Sequence, residues 1–96
     1  MIIDGETIVF KSIPIFFNLE KSGVKNHTER WLTAEERKQV HWGEINKIRI
    51  CNTKTGESFD RELVLRSNIT STMPEEVKIR CPQYSLFSLT WKHQEA

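Results

Sequence analysis

Hydrophobic positions recur along this chain with a period of two in some stretches and of three to four in others, and the changes of period mark out its elements. Met1-Ile2-Ile3 and Glu6-Thr7-Ile8-Val9-Phe10 are β-rich runs on either side of Asp4-Gly5, a pair that predicts a β-hairpin. Ile13, Phe16, Phe17 and Glu20 then fall at i, i+3, i+4 and i+7, so a first helix is expected. Ser12 is its expected cap, Pro14 is tolerated in its first turn, and Gly23 is its stop. Its phenylalanines are expected to face the core. After a polar stretch from Lys25 to Arg30, Thr33-Ala34-Glu35-Glu36 has the capping-box pattern, and a second short helix is expected to run to about Trp42 and end at Gly43.

From Asn46 the period shortens. Ile48 and Ile50 alternate with Arg49; beyond Thr53-Lys54-Thr55-Gly56, the residues Phe59, Arg61, Leu63 and Leu65 lie in step, with Asp60, Glu62, Val64 and Arg66 opposite. This predicts a second hairpin with one buried and one partly wet face. Pro74-Glu75-Glu76 reads as a loop, Val77, Ile79 and Cys81 as a strand, and Pro82-Gln83 as a turn. Phe87, Leu89 and Trp91 form a last strand before a polar tail. About six strands and two short helices, without a repeated strand-helix-strand rhythm, predict an α+β fold. The expected architecture is a small curled antiparallel or mixed sheet, or a β-barrel.

Composition narrows the classes. Ninety-six residues support one core, so residues 1–96 are expected to form a single domain. Fourteen Lys plus Arg against thirteen Asp plus Glu leave a net charge of +1, so no global field draws the chain to nucleic acid or an anionic membrane, and any polyanion site has to be local. The apolar run from Ile13 to Leu19 is broken by Pro14 and Asn18 and is too short for a membrane span or a signal-peptide core. A cytoplasmic protein is expected. Cys51 and Cys81 are expected to be free thiols, and the sequons at Asn26 and Asn68 read as chance matches. Cys51, Cys81, His41 and His93 are scattered without a ligand-pair spacing, so neither a metal nor a cofactor is expected.

The segment Gly23-Val24-Lys25-Asn26-His27-Thr28-Glu29-Arg30 lies between the two expected helices, and Gly43-Glu44 precedes a strand. This arrangement resembles the ASCH domain family of PUA-like barrels. That family's signature is Gly-x-Lys-x-x-Glu/Thr-x-Arg after the first helix, with Gly-Asp before a barrel strand. Gly23, Lys25, Thr28 and Arg30 are in register with it, and Gly43-Glu44 stands in place of Gly-Asp. The resemblance covers roughly Ile13 to Leu65. The chain is also similar to small uncharacterised proteins of Gram-positive phages and prophages that combine Lys21-Ser22-Gly23-x-Lys25 with a hairpin like Asn52-Thr53-x-Thr55-Gly56-Glu57.

The resemblance implies a cleft for RNA or a nucleotide-derived ligand. In it Lys25 and Arg30 would take negative charge, Thr28 would bond a base or acyl group, and His27 and Trp31 would add a phosphate contact and a stacking face. Some family members are amidohydrolases acting on acylated cytidine, and Lys25 and Thr28 have the spacing of their base and nucleophile. Such an enzyme also needs an acid for the leaving amine, for which Glu75, Glu76 and Glu57 are the candidates. The acid of those enzymes comes from a helical insertion that here is only the short Ser67 to Glu76 stretch.

Blander identities stand beside these. Lys25, Thr28 and Arg30 equally fit a solvated loop and edge strand, with Arg30 paired to Glu20 or Glu29; His27 fits an exposed loop residue, and the tryptophans fit core packing. Lys47, Arg49, Arg61 and Arg66 form a basic group that Glu57, Asp60 and Glu62 interrupt. Three functions follow: a nucleotide or single-stranded RNA binder, a protein that masks a partner protein through exposed aromatics and charges, and an amidohydrolase. Exchanging Lys25 and Arg30 together for Ala is expected to leave the fold intact and abolish nucleoside binding.

Overall fold

The computed structural model describes residues 1–92. The polar tail, with His93, lies outside the described residues. Strand β1 (Ile2–Asp4) turns into β2 (Thr7–Ser12), and Asp4 pairs with Thr7. The loop is thus Gly5-Glu6, one residue later than the Asp-Gly pair indicates. Gly5, at φ 60°, takes the first loop position of a hairpin turn that only glycine enters without strain.

Helix α1 (Pro14–Ser22) follows, with Ile13 at its N-cap and Gly23 at its C-cap. Gly23 has φ 88°, the left-handed conformation that ends helices. Ser12 is not the cap, because its hydroxyl is bonded to Glu20. Of the two phenylalanines only Phe17 is buried, 5.3 Å from the Phe59 ring, while Phe16 is about half exposed.

The polar stretch then becomes a strand, β3 (His27–Thr33), and α2 (Ala34–Gln39) starts at the capping box formed by Thr33 and Glu36. This helix stops short of Trp42. Val40 leaves it in an extended conformation with its side chain buried in the core, and Trp42 opens a 3-10 turn (Trp42–Glu44), its ring 5.3 Å from Phe87. The chain continues through β4 (Lys47–Asn52) and β5 (Ser58–Asn68); a second 3-10 turn (Thr70–Thr72), α3 (Glu75–Arg80) and β6 (Tyr84–Trp91) complete it.

The fold is α+β: a curled, mixed six-stranded half-barrel sheet with three short α-helices among the described residues, one more than the periodicity predicts. Strand order is β1-β2-β4-β5-β6-β3; β2 and β4 are parallel and every other neighbouring pair is antiparallel. The curl comes from β5. Its first half pairs with β4, its second half with β6, and the register slips between Leu63 and Leu65 where it changes partner. That irregularity breaks the expected alternation, so Leu63 is buried while Leu65 is 62% exposed. Phe59, Leu63, Leu89 and Trp91 belong to one buried core with Phe17 of α1, whose ring meets that of Phe59.

The segment read as a strand from Val77 to Cys81 is helix α3. Pro74 starts it, Glu75 and Glu76 occupy its first turn, and Lys78 and Arg80 occupy its last, an arrangement that suits the helix dipole. Its alternation is a coincidence of composition, because Ile79 is 75% exposed. No helix among the described residues is long and apolar enough to cross a membrane.

Two outcomes follow. Ile79→Lys should change the unfolding free energy by less than about 0.5 kcal/mol in a urea titration; a loss above about 1 kcal/mol would mean that Ile79 is packed in the core. Across the β4–β5 ladder Arg49 donates to both carboxylate oxygens of Asp60, at 2.7 and 3.0 Å, and these hydrogen bonds hold the Asp60 carboxyl below its ordinary value of 3.8. A lowered carboxyl stabilises the fold above its unfolded value and loses that contribution as pH falls through the folded one. Asp60→Asn should therefore lower stability at pH 7 by under about 1 kcal/mol, the pair being largely exposed, and the difference from wild type should vanish in acid.

Candidate functional site at the open seam

The half-barrel does not close by backbone pairing. β3 and β2 lie near each other across an open seam without being ladder partners, and Arg30 spans the gap. Strand alternation turns Thr28, Arg30 and Leu32 to one face of β3; Thr28 is only 3% exposed and Leu32 is in the core. From there the Arg30 guanidinium donates to Thr28 Oγ1 (Nε, 2.9 Å), to the Lys11 carbonyl (Nη1, 2.7 Å) and to Ser12 Oγ (Nη2, 2.6 Å). It also lies 5.0 Å from the Phe10 ring centre. Burial pushes the Arg30 guanidinium down from its ordinary value, and the Glu20 charge acts against that shift.

Behind Arg30 stands a carboxylate. Glu20 sits on the buried face of α1 beside Phe17 and is fully buried. Ser12 Oγ accepts from Arg30 and donates to Glu20 Oε1 at 2.9 Å, so the three groups form a relay of hydrogen bonds. Glu20 Oε2 is buried and accepts no hydrogen bond among the described residues. Lys25 Nζ stands 3.9 Å from it, an ion pair too long for a hydrogen bond, and 5.2 Å from the Phe16 ring centre.

These groups line a cavity of about 560 Å³ at the seam, whose walls include Lys11, Glu20, Lys25, His27, Thr28 and Arg30. Of the residues singled out from the sequence, Lys25, His27, Thr28 and Arg30 thus share one hollow. Trp31 does not line it. It belongs to a neighbouring cavity of about 670 Å³ with Ile2, Val9, Phe10 and Cys51, which meets the first at Lys11, Glu29 and Arg30. The Trp31 indole packs edge-on against Tyr84 with ring centres 6.2 Å apart.

Glu75 lines neither cavity. It lies exposed at the start of α3, paired with Lys78 at 3.5 Å. Glu57 is paired with Lys21. Two carboxylates line the hollow, Glu29 exposed at its side and Glu20 buried, the latter with the sequence signal of an acidic residue at a core-facing position of a helical pattern. The basic group read from the sequence is engaged elsewhere: Arg49 with Asp60, Lys47 with Glu6 at 3.4 Å, Arg61 over the Phe59 ring at 4.6 Å, and Arg66 donating to the Ile45 carbonyl at 3.3 Å. Among the described residues no group of three or more His, Cys, Asp or Glu side chains is placed to hold a metal ion.

No family model matches the chain, and no match to it is found among the curated proteins or the solved structures.

The expectation that Lys25 and Arg30 can be exchanged together with the fold intact meets the bonds that Arg30 makes across the seam. A lysine retains the charge but not the planar fork that reaches three acceptors at once. Arg30→Lys should therefore destabilise the chain by about 1–3 kcal/mol in urea titration; unchanged stability would show that the seam does not depend on the guanidinium. Lys25, whose ammonium bonds to no backbone carbonyl among the described residues, is the residue to change when ligand binding is to be separated from folding.

Proposed function

We propose that this chain is a small PUA-like binding domain that takes a nucleotide-derived ligand, or a short single-stranded stretch of RNA, in the seam cavity. The observation that carries this reading is the convergence of Lys25, His27, Thr28 and Arg30 on one hollow, since polar groups that meet in a concavity distinguish a site from a decorated surface. The cavity volume falls within the roughly 300–1,000 Å³ range of small-ligand sites. Lys25 and the unused N–H groups of Arg30 would receive the negative charge, and Thr28, whose oxygen already accepts from Arg30, retains a hydroxyl proton for a base or acyl acceptor.

The charge balance around the hollow favours a small anion over a long polyanion. Lys11, Lys25 and Arg30 stand against Glu20 and Glu29, and the basic residues of β4 and β5 already have partners. A nucleoside monophosphate or a few nucleotides would suffice to fill it.

A second reading has its own observation. Ile13, Ile15, Phe16 and Leu19 of the first helical segment, with Val24 beyond it, leave an apolar surface exposed, and Val24 is 78% exposed. Such a surface fits a protein that masks a partner protein. That reading requires one stoichiometric protein partner that survives nuclease treatment.

The nucleotide reading is tested by NMR titration of the wild type with nucleoside monophosphates and a short oligoribonucleotide. Amide shifts should centre on Lys25 to Arg30, and Lys25→Ala should weaken binding by about tenfold, as expected for loss of one charged hydrogen bond. Unchanged spectra across the whole panel would remove the reading.

A further inference from the structure

Glu20 presents a feature that anion binding alone does not require. A core-facing helix position is most simply filled by an apolar side chain, and a buried carboxylate oxygen without a donor is among the more destabilising polar arrangements a fold can hold. Here Oε1 is satisfied by Ser12, and Oε2 has no donor among the described residues. The nearest cation, Lys25, rests over the Phe16 ring and stays 3.9 Å away from Oε2. Glu20, Phe16 and Lys25 all line the seam cavity, so the two outer side chains form a cover over the third. Lys25, whose side chain is 29% exposed, makes no other ion pair or hydrogen bond through its ammonium among the described residues.

We infer that Glu20 Oε2 is the acceptor for an exocyclic amino group of a nucleobase, reached when Lys25 swings outward. The inference rests on the nucleotide reading above and names the part of the ligand that enters first. An ionised carboxylate accepts hydrogen bonds and donates none, so it attracts an amino N–H and repels a carbonyl oxygen. An exocyclic amine projects beyond its ring and can reach a recessed oxygen. The imino N–H of uracil lies between two carbonyl oxygens, and approaching through it would force these against the same carboxylate. With the base against Glu20, its phosphate would come within reach of exposed Lys11 and the displaced Lys25, which line the same cavity. Cytosine and adenine therefore suit Glu20 Oε2, whereas uracil and hypoxanthine carry a carbonyl oxygen in place of the amino group.

The test is calorimetric titration of the wild-type chain with CMP and UMP, and with AMP and IMP as the purine pair. Each amino-bearing nucleotide should bind about tenfold or more tighter than its oxo counterpart, because a site built around a hydrogen bond discriminates strongly against an analogue lacking the donor. Glu20→Gln, whose amide both donates and accepts, should bring CMP and UMP to within about threefold of each other. Equal affinity of the wild type for CMP and UMP, or a preference that survives Glu20→Gln, would overturn the inference while nucleotide binding itself still stood. Binding of none of the four would remove the nucleotide reading and the inference together. Should Glu20→Gln fail to fold, the wild-type CMP to UMP ratio decides alone.

Discussion

The curled sheet stays open between β3, an edge strand, and the 10–12 half of β2 that β1 does not cover, and something has to occupy the space between them. Here one guanidinium does so. Arg30 reaches from β3 to the Lys11 carbonyl and the Ser12 hydroxyl of β2, packs over Phe10, and supports Thr28 on its own strand. Its fixed fork suits this position better than a flexible ammonium, because three acceptors on different elements are met by one rigid group. The seam is held together by side-chain bonds where the rest of the sheet is held by backbone ladders.

Placing a partly buried cation there has a consequence for the neighbouring helix. A guanidinium partly removed from water is stabilised by a negative charge within reach, and Glu20 on α1 provides it through Ser12. The relay ties β3, β2 and α1 to one another at the open side of the half-barrel. It also leaves polar atoms facing a hollow that apolar packing would otherwise fill, and the seam cavity exists for that reason. Structural closure and the candidate site are thus built from the same side chains, so changes to Arg30 act on stability before they act on binding.

The hairpins, the capping box of α2 and the last strand were legible because their signals are local: an alternating pattern, a Thr-x-x-Glu spacing, a glycine at a turn. The strand from His27 to Thr33 was not, since it runs through polar residues whose burial depends on what lies across the seam. Val77, Ile79 and Cys81 misled in the opposite sense. Three apolar residues in alternation fit a strand, but a proline start and oppositely charged ends favour a helix, and no neighbouring strand was left for them to pair with. Leu65 fits the pattern of its strand and is exposed because β5 changes partners just before it.

By itself the sequence determined the class of fold, the order of most elements and the polar segment that faces the hollow, because each depends on residues close together in the chain. Only the tertiary structure decided that Glu20 is the buried carboxylate of that hollow, that Trp31 lines a neighbouring cavity, and that Glu75 lines neither. Those placements depend on which strand lies across the seam and how far the sheet curls, and both are set by contacts between residues distant in sequence.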